Sequence, residues 1–160
     1  MIKSYGLHWS TDKVSWGQQG ILGTLLGAAS RSSKARSVDF RNQRGIYVLY
    51  ANYDLVYVGQ TGAGSDRLFK RLKTHKSDHL SERWNRFSWF GTQWVTKANQ
   101  LSTDTAAVSQ TVEATLNILE AVSIAISEPR LNLQRGKWSD ATQYFQYEES
   151  SEESGEDDDD

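Results

Sequence analysis

The sequence contains no cysteine, one proline and one methionine. Without thiols the chain can hold neither a disulfide nor a thiolate metal site, and a reducing, cytoplasmic setting fits it. The lone proline, Pro129, stands where it enforces the end of a long helical pattern. No apolar run approaches the length of a membrane span, and the first ten residues, MIKSYGLHWS, have no signal-peptide core. A membrane partner is therefore not expected. No segment repeats internally.

Basic residues are absent from one stretch. From Glu148 onward, EESSEESGEDDDD holds nine of the twenty acidic residues, while all eighteen Lys and Arg lie before it against eleven Asp and Glu. The formal net charge of −2 thus conceals a body, residues 1–147, with seven surplus positive charges and a tail with nine negative ones. A basic body suits a polyanionic partner. The tail, residues 148–160, has too little apolar surface to fold and is expected to be disordered.

Aromatic volume is plentiful: six Trp, seven Tyr and five Phe in 160 residues. That is enough for one cored domain and too short for two. Residues 1–43, with Trp9, Trp16 and a possible short helix from Ile21 to Ala29, read as a covering segment of the same domain. Residues 44–147 carry the motifs. RGIYVLY and LVYVG, joined by the turn ANYD, read as a strand hairpin. The loop QTGAGS lacks the GxxxxGK[ST] pattern of a phosphate cradle and leads into a helix, DRLFKRLKTHK, with Asp66 as its predicted N-cap. RFSWFGTQWV alternates as a third strand. From Asp104 a long helix carries Val108, Val112, Leu116, Leu119, Val122 and Ile126 as its apolar stripe.

Two features carry chemistry. Glu120 lies at the edge of that stripe, beside Leu116 and Ile124, where a carboxylate takes a raised pKa, finds a cation or reaches out to water. Arg67, Arg71 and His75 share one helix face at i, i+4 and i+8, flanked by Lys70 and Lys73. Such a row is either a solvated basic face or a seat for an anion, with Arg67, Lys70, Lys73 and Lys76 as phosphate contacts.

The order of these pieces resembles the GIY-YIG nuclease family. GIY at 45–47, YVG at 57–59, Arg71 with His75 four residues on, Glu120 in a long helix and Asn132 in RLNL carry the resemblance, across residues 44–133. It implies an α/β (α+β) domain: a small three-stranded antiparallel sheet flanked by helices. It implies a metal-dependent endonuclease acting on DNA, with RNA as the other option, and Mg²⁺, or alternatively Mn²⁺, as the metal. Glu120 would then ligate the metal. Tyr47 would act as general base, or else as nucleophile, with His75 accepting its proton. Arg71 would stabilise the phosphate, with Arg67 competing for that role. Tyr57 would orient water or phosphate, and Asn132 would support the site. The alternatives are a non-catalytic nucleic-acid-binding module, or an adaptor whose acidic tail docks on a basic protein.

Overall fold

A computed structural model describes residues 1–61, 64–103, 111–127, 136–138 and 140–149. Its elements run β1 (Ser4–Ser10), β2 (Leu26–Ala28), β3 (Val38–Asp39), β4 (Gly45–Ala51), β5 (Asp54–Thr61), α1 (Leu68–His75), β6 (Arg86–Gly91), α2 (Val112–Ser127) and β7 (Thr142–Gln146). They form one mixed sheet of seven strands in the order β3-β2-β7-β1-β6-β4-β5. This corrects the expected three-stranded sheet with flanking helices. The three expected strands are there, with β4 paired antiparallel to both β5 and β6. The sheet does not stop at β6, because β1 pairs antiparallel with it and parallel with β7.

Residues 1–43 supply three of the seven strands. No helix forms over Ile21–Ala29: Gln18 and Ile21 exchange both backbone hydrogen bonds in a tight turn, and Leu26–Ala28 becomes β2. Glycine is the reason on both counts. It disfavours a helix interior, and at Gly27 a Cβ would stand 2.6 Å from the ring of the buried Trp9.

The run GIYVLY is apolar almost throughout because both faces of β4 are covered. Successive side chains alternate. Tyr47 and Leu49 join a cluster with Leu68, Phe69 and Leu72 of α1, together with Trp9, Phe40, Phe87 and Trp89. Val48 and Tyr50 join a second cluster with Ile118 and Val122 of α2, together with Ile2, Tyr5 and Phe90. The two helices thus lie on opposite faces of the sheet. Each fully buried leucine of α1 contributes about 2 kcal/mol, and Leu72→Ala would cost about 2–5 kcal/mol with the cavity it leaves.

The helix α2 uses only part of its predicted stripe, since Val122 is buried and Ile126 packs beside it while the earlier positions are not covered. Its buried residues are Ile118, Ala121 and Val122, whereas Leu116 and Leu119 of the predicted stripe are 59% and 52% exposed, and Val112 more so. Two apolar rows run along this helix. The row with Ala121 wins because small side chains allow close approach: a Cβ on Gly136 would stand 2.2 Å from the Ala121 Cα. Val108, Asp104 and Pro129 lie outside the described residues. Among the described residues no helix is long and apolar enough to cross a membrane.

Candidate active site

α1 is seated by the chain just before β4. Its first free N–H groups, those of Leu68 and Phe69, donate to the carbonyls of Gln43 and Arg41. That corrects the predicted cap. Arg67 holds the N-cap position without a side-chain capping bond to the helix, and Asp66 pairs with Lys70 one turn on, at 2.6 Å. Lys70 lowers the Asp66 pKa from its ordinary value.

With Leu68, Phe69 and Leu72 against the sheet, His75 is carried into the core and Arg71 sits half-buried one turn before it. Arg71 and His75 of the predicted basic row therefore turn towards β4. Tyr47 is fully buried, and its Oη lies 2.8 Å from His75 Nε2. The Arg71 guanidinium lies close enough to the same phenol to act on it electrostatically. The Tyr57 ring lies 5.0 Å from that of His75 and 6.2 Å from that of Tyr47. Gly59, directly across the strand pair from Tyr47, leaves the space the phenol occupies.

Electrostatics pull the phenol both ways. Burial raises the Tyr47 pKa above its ordinary value, and the Arg71 guanidinium opposes this without cancelling it. The same interaction raises the pKa of Arg71. Behind His75, Nδ1 lies 2.7 Å from Asp78 Oδ2, and the other oxygen, Oδ1, accepts the Leu80 N–H at 2.8 Å. The Leu80 N–H, and then His75, hold the Asp78 carboxyl below the usual range. Arg71 and Tyr57 line an open recess of about 390 Å³ with Ile46, Val58, Gly59 and Gln60.

Tyr47, Tyr57, Arg71 and His75 are thus brought together. Arg67 is not part of the cluster: its Nη1 donates to the Gly64 carbonyl at 2.8 Å. Of the other expected phosphate contacts, Lys70 and Lys73 are exposed on α1, and Lys76 lies over the Trp16 ring at 4.5 Å. Glu120 stands apart. It is exposed on α2, about 160° around the helix from the buried Val122 and Ile118, and α2 covers the other face of the sheet. Among the described residues no group of three His, Asp or Glu could hold a metal ion. Glu120, the expected ligand of Mg²⁺ or Mn²⁺, is therefore not brought to Tyr47, Arg71 and His75. Asn132 lies outside the described residues.

Asp78 escaped the sequence reading. Its signal was present in HKSD, a carboxylate three residues after a histidine at a helix end.

The cluster has one capability that packing does not require. It can draw a proton off a buried phenol, through an imidazole backed by a carboxylate, beside a cation that faces an open recess. No family model matches the chain, and neither does any curated protein or solved structure.

Proposed function

We propose that the protein is an endonuclease that hydrolyses phosphodiester bonds in DNA, of the GIY-YIG type. One observation carries this reading: the 2.8 Å contact between the buried Tyr47 Oη and His75 Nε2, with the Arg71 guanidinium beside the same phenol. Any buried phenol needs one hydrogen-bond partner; an imidazole that is itself backed by the Asp78 carboxylate goes beyond that need.

In this reading DNA lies over the recess, drawn by the surplus positive charge of residues 1–147. Tyr57 orients a water at the recess wall. The water oxygen bonds to phosphorus, and the bond from phosphorus to the leaving sugar oxygen breaks. Tyr47 takes the water's proton as its own passes to His75 Nε2. The transfer is concerted because burial keeps Tyr47 protonated near neutral pH, so no standing phenolate is available. Arg71 offsets the charge that develops on the phosphate. The leaving oxygen takes a proton from solvent. The cytoplasm suits a chain without cysteine.

A second reading, a nucleic-acid-binding module without catalysis, is favoured by the position of Glu120 across the sheet. Plasmid, junction and flap DNA, incubated with the full chain in Mg²⁺, Mn²⁺ or chelator, separate the two. Nicking that is lost in Tyr47→Phe, with DNA binding retained, supports the endonuclease. Binding without nicking on every substrate leaves the second reading.

A further inference from the structure

His75 can carry its neutral-state proton on either ring nitrogen, and the choice decides what it can do for Tyr47. A proton on Nε2 would leave His75 unable to accept from the phenol. A proton on Nδ1 leaves the Nε2 lone pair facing Tyr47 Oη, 2.8 Å away. The group opposite Nδ1 is Asp78 Oδ2, at 2.7 Å. An ionised carboxylate can only accept. It is compatible with Nδ1–H and with nothing else.

We infer that Asp78 is a positioning residue, which locks His75 in the Nδ1–H form so that Nε2 receives the proton of Tyr47. The inference rests on the proposed hydrolysis for its catalytic consequence and on geometry for the tautomer itself. Asp78 is well placed to hold this orientation. Its second oxygen is fixed by the Leu80 N–H, and its own N–H donates to the Thr74 carbonyl at 3.1 Å. His75 is equally fixed, since its carbonyl accepts the Trp84 indole N–H at 3.1 Å. When the proton leaves Tyr47 Oη for Nε2, the imidazole becomes imidazolium. Nδ1–H stays bonded to the carboxylate, which balances the charge without being protonated. Loss of the Nε2 proton to solvent resets the pair, since Tyr47 already holds the proton of the attacking water.

The decisive variant is Asp78→Asn. The carboxamide oxygen can keep the Leu80 N–H, while its NH₂ group donates to Nδ1 and forces the proton onto Nε2. Asp78→Ala removes the partner altogether and leaves both tautomers accessible. The uncommon expectation is that the closer replacement is the worse one. Nitrogen-15 NMR of the three histidines in the full chain, at a pH where the rings are neutral, reads the tautomer directly, with the His75 signal assigned through His75→Gln. Expected are a protonated Nδ1 in the unmodified protein and a protonated Nε2 in Asp78→Asn. Cleavage by Asp78→Asn should fall in kcat by on the order of 10³- to 10⁴-fold with KM little changed, and Asp78→Ala should retain more activity than Asp78→Asn. A protonated Nε2 in the unmodified protein overturns the inference, and so does Asp78→Asn cleaving at the original rate with the tautomer reversed. If the unmodified protein cleaves none of the substrates, the proposed hydrolysis fails. The tautomer measurement then still decides what Asp78 does to His75.

Discussion

Gly59 faces Tyr47 across the β4–β5 pair so closely that a Cβ in its place would lie 2.4 Å from the phenol oxygen. The obstacle would be the reactive end of a fully buried side chain with His75 and Arg71 beside it. Gly59→Ala is therefore expected to push the phenol off its partners. The overpacking should cost about 1–3 kcal/mol in urea unfolding and lower the cleavage rate with it. An alanine variant as stable and active as the parent would mean that Tyr47 swings aside freely and is not fixed by the strand pair.

The two arginines of α1 should separate kinetically. Arg71 lies beside the phenol and lines the recess, so Arg71→Ala is expected to lower single-turnover cleavage at saturating DNA by about 10²- to 10³-fold. Arg67 is bonded to the loop before the helix. Arg67→Ala should leave the saturated rate nearly intact and weaken binding modestly, flattening the salt dependence by about one unit of slope. The opposite pattern in the two variants would move the catalytic charge to Arg67.

Alkaline pH should act on the buried phenols. Burial raises the pKa of Tyr47 and of Tyr144 above the ordinary value. A phenol that is a weaker acid in the folded state favours folding most below its unfolded pKa, about 10. That contribution is lost as the pH rises through the folded value. Tyr47 and Tyr144 should therefore ionise above the ordinary phenol value when phenolate absorbance is followed. Urea stability should fall over the same range, and less steeply in Tyr47→Phe. Seven phenols ionising together at the ordinary value would contradict the burial of both.

Glu120 offers the sharpest contrast between the sequence expectation and the fold. As a metal ligand it would be indispensable. As an exposed residue on the helix across the sheet it should be replaceable: Glu120→Ala is expected to change stability by no more than about 0.5 kcal/mol and to leave cleavage unchanged. Loss of cleavage with binding preserved would return Glu120 to the reaction.

The parts of the fold that could be read from the sequence are those whose signals are local. The hairpin over Gly45–Thr61 and the strand Arg86–Gly91 announce themselves by alternation and turn chemistry, and the helical spacing of Leu68, Leu72 and His75 announces α1, so the elements that bring Tyr47, Arg71 and His75 together were legible. β1 was hidden for two reasons. Its register shifts between Gly6 and Trp9, where His8 takes a positive φ of 51°, so its alternation is broken. Its parallel partner also lies at the far end of the chain, with Ser4 opposite Thr142. The buried face of α2 was legible only in part because both of its rows are apolar, and what decides between them is a glycine outside the helix. The start of α1 was misread because backbone carbonyls from residues 41 and 43 do the work expected of a side-chain cap.

The position of β7 between β1 and β2 bears on how the protein is made. Among the described residues the β2–β3 pair joins the rest of the sheet through β7, by the pairing of Gly27 and Ala28 with Gln146 and Phe145. On a ribosome the first three strands therefore emerge with an unfilled slot between them, and it stays open until residues 142–146 leave the exit tunnel. Until then β1 and β2 each expose a bare edge, and the indole N–H of Trp9 lacks the Tyr144 carbonyl it bonds in the finished sheet. Closing so long a loop is slow relative to local helix and hairpin formation, and open edges invite mispairing. The nascent chain is thus most vulnerable to aggregation late in its synthesis, and translation that stalls shortly before Thr142 should leave a chain that chaperones retain.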